Sequence, residues 1–240
     1  FVYNNQDINK KSHNFIFFKG DLESSGNILR AYGNLTNQAK NSDGSYEILN
    51  LPYSQYLRAD IDFRYYRIIS PLSKLVIRTM DGFGYALTNL NALPFEKAFF
   101  AGGSNDIRAW SARTLGPGDY TTSGQTFDQV GDILIEGNME YRFNIFKMLN
   151  GAAFIDAGNI WLRKPDQNRP GGDFDINTFP GQIAIGAGLG LRVDFSFFII
   201  RLDAAIPIKD PSYPIGDRWR FNNLDFKKKT NLNFGIGYPF

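Results

Sequence analysis

The chain has 240 residues, 26 Lys+Arg against 24 Asp+Glu and a formal net charge of +2, a balance that argues against a nucleic-acid surface. It carries no cysteine and a single histidine, His13, which excludes disulfides, cysteine nucleophiles, thiolate metal sites and multi-histidine metal centres. Aromatic residues make up 15% of it and glycines number 24, yet its mean hydropathy is −0.28, a combination that suits short strands apolar on one face only.

Phe1 is not a start methionine and no charged segment followed by an apolar one opens the chain, so a mature or truncated product is expected. A strand-like stub at Phe1–Gln6 precedes the first clear alternation, in which Ile16, Phe18, Gly20 and Leu22 face away from Lys19, Asp21 and Glu23. Next, Leu57, Ala59, Ile61, Phe63 and Tyr65 interleave with Arg58, Asp60, Asp62, Arg64 and Tyr66. A helix would scatter these charges around its axis, whereas a strand sorts them onto two faces. Strands are also predicted at about Lys74–Ala86 and Leu149–Trp161.

The alternation returns at Ile133–Phe143, where Glu136, Asn138, Glu140 and Arg142 share one side. It recurs at Ile183–Asp194, with Gly186, Gly188, Gly190 and Arg192 opposite the apolar set, and at Phe198–Ile206, with Arg201 and Asp203 opposed. The last predicted strand is Asn231–Phe240, where Asn233, Gly235 and Gly237 alternate with Leu232, Phe234 and Ile236. That makes eight strands, or nine with the stub. No run can form a spanning helix: the longest uncharged stretch, Ile176–Leu191, falls short of the roughly 20 apolar residues required.

The connections alternate strictly between two lengths. Pro71–Ser73, Phe146–Met148 and Phe195–Phe197 are tight turns, while Gly26–Pro52, Leu87–Gly131, Leu162–Pro180 and Lys209–Thr230 are long and rich in Gly, Pro, Asn, Asp and Ser. Structureless loops of that length are uncommon in compact soluble domains, but a transmembrane β-barrel has short turns at one end and long loops at the other. Aromatics near strand ends (Tyr56, Tyr65, Phe143, Phe146, Trp161, Tyr238 and Phe240) fit the interfacial girdles of such a barrel. A soluble β-sandwich explains neither feature.

Several apparent motifs carry little. Gly186–Gly190 lacks the spacing of a phosphate loop and lies within a strand, where its glycines make room or permit bending. Asp60 and Asp62 sit two apart like a glycosidase pair, but Arg58 and Arg64 on the same face compensate them. Ser12-His13 has no oxyanion or orienting context for hydrolysis, and Lys227–Lys229 reads as a solvated or headgroup-facing charge run.

The ordered set that follows is far more specific. Phe99-Phe100-Ala101-Gly102-Gly103 leads to Ile107-Arg108-Ala109-Trp110 inside the longest loop; Glu136–Phe143, Phe154–Trp161, Gly188–Asp194 and Ile200–Asp203 follow, and Phe240 comes last. Over about residues 53–240 the chain resembles the BamA/TamA-type superfamily of outer-membrane assembly factors and translocators (the bacterial surface antigen family). The resemblance implies an all-β, antiparallel transmembrane β-barrel, residues 1–240 forming one partial barrel domain that is the C-terminal half of a 16-stranded barrel. It implies that residues 87–131 form an extracellular loop folded into the lumen, with Gly102, Gly103, Ile107, Arg108, Ala109 and Trp110 as its motif. Arg108 would pair there with Glu140 and Asp156 on the inner wall. Ala109-Trp110 stands where the family has Gly-Phe, which puts in doubt the close backbone approach that glycine allows. Arg142, Arg192 and Asp194 are expected to line the wall rather than act as specific partners.

The implied function is insertion or export of β-barrel client proteins at the outer membrane of a Gram-negative bacterium, without enzymatic chemistry, cofactor or metal. Strand edges are templates for pairing, so a barrel whose first and last strands pair poorly can open a seam and add a client strand. Gly235, Gly237 and Phe240 mark that seam strand, and Pro239 cannot donate a ladder hydrogen bond. Expected partners are the lipid bilayer, unfolded clients and accessory assembly subunits, with no nucleic acid. Eight closed strands leave an interior only wide enough for side chains, so about eight further strands are expected upstream of Phe1. The alternative is a passive outer-membrane channel or secretion pore.

Overall fold

Alternating sequence becomes alternating exposure, and here the usual order is inverted. The computed structural model describes residues 1–7, 13–121, 129–221 and 229–240. In the long strands the apolar residues are the exposed ones: Ile155 is 51%, Leu189 68% and Phe234 65% exposed, while Asp156, Arg192 and Asp203 are 0%. A soluble protein hides its Leu and Ile and leaves its charges in water. A sheet that does the opposite has its apolar face in lipid.

Among the described residues the strands are β1 (Val2–Asn4), β2 (Phe15–Ser25), β3 (Glu47–Ile48), β4 (Leu51–Pro52), β5 (Tyr56–Ser70), β6 (Ser73–Ala86), β7 (Ile133–Phe146), β8 (Leu149–Trp161), β9 (Ala184–Asp194), β10 (Ile199–Lys209) and β11 (Asn231–Ile236). Nine of them form one antiparallel sheet in the order β1-β2-β5-β6-β7-β8-β9-β10-β11, with β3 and β4 a separate small hairpin. Sequence neighbours are therefore spatial neighbours, an up-and-down meander. Strands β2 and β5 to β10, of 11–15 residues each, are long enough to span a bilayer when tilted. β1 and β11 are the two edges of this sheet.

Three expectations change. The Gly26–Pro52 connection is not irregular: it holds helix α1 (Asn27–Leu35) and the β3–β4 hairpin. The apolar residues Ile28, Leu29, Tyr32 and Leu35 of α1 recur at helical spacing, yet Ile28 and Leu35 are 85% and 84% exposed, so this side does not face a core. The last strand stops at Ile236 rather than Phe240, because Gly237 takes a positive φ of 86° that turns the chain. Beyond that turn the Phe240 ring packs with Tyr66 and Val76 on the charged face.

The girdle is also smaller than predicted. Tyr65 and Phe143 stay on the apolar face and Phe146 is exposed at a turn. Tyr56 instead turns to the charged face, where its hydroxyl meets Glu23 at 2.6 Å. Trp161 is fully buried against Phe174 and Phe179 of the following connection, and Tyr238 lies under the guanidinium of Arg142. Side-chain parity fixed the face correctly within the strands but could not foresee connections folding back over their ends.

Candidate functional site: the loop tip on the charged face

The long connection after β6 lies on the charged face. It is pinned first by the paired backbones of Phe99 and Gly131 (2.9 Å each way) and by an apolar cluster of Phe99, Ala101, Ile107 and Leu115 with Leu134, Ile160 and Ala184 of the sheet. Gly102 and Gly103 make the sharp bend at its entry with φ of 97° and 121°, angles open to glycine but strained for other residues. The Gly103 amide donates to the Trp110 carbonyl at 3.0 Å and the Trp110 amide to that of Ile107 at 3.1 Å. These bonds close residues 103–110 into a tight tip.

Arg108 occupies that tip and is 0% exposed. Its Nε and Nη2 donate to the two oxygens of Asp156 on β8 at 2.8 and 2.9 Å, and its backbone amide reaches the same carboxylate at 3.1 Å. Its Nη1 donates to Glu140 of β7 and lies 3.6 Å from Asp203 of β10. The guanidinium plane rests on the Phe154 ring, 3.4 Å from its centroid. A fork that grips one carboxylate bidentately, touches a second and stacks on an aromatic is geometry that arginine can supply and lysine cannot. The Arg108 carbonyl accepts from Asn231 and Asn233 of β11, both at 2.9 Å. One residue therefore ties three interior strands to the edge strand.

Ala109 fits although it replaces a glycine of the family pattern. It packs with Phe154 and Ala205, and a Cβ on the opposing Gly186 would collide with the Ala109 methyl. The space has moved from the loop to the wall. Other glycines of the charged face work likewise: a Cβ at Gly188 would strike the Phe154 ring, one at Gly190 the Arg192–Asp203 pair, and one at Gly235 the Arg201 guanidinium.

Arg142 and Arg192 are specific partners, not general lining, which corrects the sequence reading. Arg142 Nε meets Glu140 at 2.7 Å and Arg192 Nη2 meets it at 3.2 Å. Glu140 lies between three guanidinium groups because Arg142 follows two residues along the same face and Arg192 projects from β9. Asp194 does belong outside the network, accepting the Ser196 amide at the next turn. Arg192 also pairs with Asp203 at 2.7 Å, and Arg201 lies 3.5 Å from Asp203. Arg201 and Asp203 were not picked out as site residues. Their signal was present in the Ile200–Asp203 alternation, but nothing local indicated that a loop tip would cover them.

A second charge group sits beside the first. Asp62 receives Arg64 at 2.6 Å and Arg78 at 3.2 Å, and Arg78 also reaches Glu136 at 3.0 Å. Asp60 pairs with Arg58. The compensation expected for the Asp60/Asp62 pair is what the geometry holds. Gly235 lies within β11, while Gly237 and Phe240 lie beyond it. The Phe240 ring faces the guanidinium groups of Arg78, Arg108 and Arg142 at 5.7, 5.8 and 5.3 Å. His13 is exposed, and Ser12 lies outside the described residues, as do Lys227 and Lys228. Lys229 donates to the Tyr213 hydroxyl at 2.8 Å. Among the described residues no group of three or more His, Cys, Asp or Glu is placed to hold a metal.

Comparison with solved structures finds BamA from Haemophilus ducreyi lacking POTRA domains 1–3, with a TM-score of 0.57 at 16% identity over 98% of this chain. The chain spans 40% of the length of that structure, and the likeness is one of fold. A family model, the Omp85 superfamily domain, matches residues 3–240. With an inverted antiparallel sheet, a loop tip locked by one buried arginine and a family match over almost all of its length, this chain belongs to the Omp85 superfamily.

Proposed function

We propose that this chain is the C-terminal half of a 16-stranded barrel in the outer membrane of a Gram-negative bacterium, and that it assembles or exports β-barrel client proteins. In this reading residues 87–131 form an extracellular loop folded into the lumen. Residues 102–110 are its working tip, Glu140 and Asp156 are the wall partners of Arg108, and β11 is the seam strand. Clients add to the exposed edge by strand pairing, and no covalent bond is made or broken. The lipid bilayer, unfolded clients and accessory assembly subunits are the partners this requires.

The observation that carries the reading is the two-sided hold of Arg108. Its guanidinium grips Asp156 and Glu140 of the wall while its carbonyl receives Asn231 and Asn233 of the edge strand. A passive pore needs its loop tethered to the wall but gains nothing from tethering it to an edge. β11 pairs with β10 over only Asn231–Ile236, so those two side-chain bonds are a sizeable part of what holds it.

The test uses the full-length native protein carrying Arg108→Ala. The abundance of other outer-membrane β-barrel proteins, or of one exported client, is expected to fall. Normal levels with the variant present and folded would overturn the assembly reading in favour of a passive channel or secretion pore.

A further inference from the structure

The structure has a second polar feature unconnected with Arg108, at the loop end of the apolar face. Tyr85, next to the end of β6, is an outward residue of that face, and the guanidinium of Arg163 lies over its ring at 4.2 Å. Phe83 adjoins it, with ring centroids 6.5 Å apart. A cation resting on an aromatic at the border of an apolar band marks the depth at which lipid headgroups begin.

Beside this pair, a cavity of about 470 Å³ opens between residues 91–98 and 162–169. Its polar lining includes Asn91, Asp132, Arg163, Lys164, Asp166 and Arg169. The two carboxylates are already engaged. Asp166 receives Arg169 at 2.8 Å, and Asp132 accepts the backbone amide of Arg163 at 2.9 Å rather than its guanidinium. Among the described residues the guanidinium of Arg163 and the ammonium of Lys164 have no carboxylate partner. Two neighbouring cations without counter-ions in a polar cleft are matched to an anion with several acceptor oxygens.

We propose that this cleft binds the phosphate of a lipid headgroup in the leaflet that surrounds the loop end of the barrel. The position of Arg163 selects a lipid over a soluble phosphate, because acyl chains attached to a phosphate held there run down the exposed face past Tyr85 and Phe83. Arg163 supplies the planar fork and Lys164 the mobile point charge. The proposal rests on the reading that the apolar face lies in a bilayer.

The test places the full-length protein in phosphatidylcholine nanodiscs containing a minor fraction of phosphatidic acid and measures how far phosphatidic acid is enriched around it. Enrichment is expected for the native protein, with a loss of about fivefold for each cation removed in Lys164→Glu and in Arg163→Ala/Lys164→Ala. Lys164 is exposed, so its variant keeps the test valid. Lys40→Glu, altering a cation that lies on Tyr46 in the connection after β2, should leave enrichment unchanged. Equal enrichment in the double variant overturns the proposal. So does displacement of the lipid by inorganic phosphate at equal concentration, which would define a soluble-anion site. Failure of the native protein to enter nanodiscs would remove the bilayer reading as well, whereas entry without enrichment removes only the cleft.

Discussion

The buried charge network has two ends, and they are not equally finished. At the Arg108 end, Nε, Nη1 and Nη2 all donate to carboxylates of Asp156 and Glu140. At the β10 end, Arg201 Nε and Nη1 and both carboxylate oxygens of Asp203 are buried without a hydrogen bond, although Arg192 and Arg201 lie within ion-pair range. Attraction without directed hydrogen bonds leaves much of the desolvation cost uncovered. The guanidinium contacts to β7 and β8 are therefore fully bonded, while the ion pairs among β9 and β10 are less so, and the loop tip meets β10 and β11 through single side-chain bonds, Arg201 to Asn105 and Asn231 and Asn233 to the Arg108 carbonyl. That gradient runs toward β11, the shortest of the long-sheet strands after β1.

The gradient can be broken at its strong end first. Arg108→Ala leaves Asp156 buried without its bidentate partner, takes one of three guanidinium groups from Glu140 and should cost about 3–5 kcal/mol. It should show as a lower midpoint in denaturant and as new protease cleavage within residues 87–131. Gly186→Ala comes next, at about 1–3 kcal/mol from overlap with the Ala109 methyl. The double variant Gly186→Ala/Ala109→Gly should recover most of it. An unrecovered double variant would mean the glycine serves something other than the loop.

Asn233→Ala removes one bond to the Arg108 carbonyl and should cost about 1 kcal/mol, with faster hydrogen exchange confined to β11. At the weak end, Arg201→Met should cost about 1 kcal/mol, since it removes one hydrogen bond, from Nη2 to Asn105 at 2.7 Å, while Asp203 keeps Arg192 at 2.7 Å. A loss as large as that of Arg108→Ala would erase the contrast between the two ends. The smallest effect is expected on the opposite face. Asp81 is an exposed carboxylate on the apolar face of β6, in register with Ile61 and Ile135, and Asp81→Leu should raise the midpoint slightly, by about 1 kcal/mol or less, a carboxylate in lipid costing less than a cation does.

Much of this fold could be read because its signal has period two and repeats. Strand β2 and the strands from β5 to β10 lie close to where alternation places them, and Glu140 and Asp203 lie on the charged face that alternation gives them. What escaped depends on contacts between distant segments. The helix Asn27–Leu35 does carry a helical apolar spacing at Ile28, Leu29, Tyr32 and Leu35, but the run is short, lies among turn-forming residues and buries none of these side chains. The inward turn at Gly237 reverses the expected position of Phe240, and only the packing of Phe240 with Tyr66 and Val76 reveals why. Arg142 and Arg192 read as general lining because a charge on a strand face says nothing of which carboxylate lies across from it. That Ala109 could stand in the loop was decided by Gly186, 77 positions away in the numbering.

The strict division of each strand between two environments has a consequence for the route this polypeptide takes to its membrane. Every second residue of a spanning strand is polar, small or charged, so hydropathy averaged over a window of roughly 19 residues stays low throughout. The longest uncharged run, Ile176–Leu191, is itself interrupted by Asn177, Gln182 and four glycines. A machine that diverts nascent helices sideways into the first membrane they meet finds nothing here to retain. The chain can thus pass through one bilayer as an ordinary polar polypeptide and become lipid-compatible only after its strands have paired. Within residues 1–240, compatibility with lipid is a property of the paired sheet and not of any single segment.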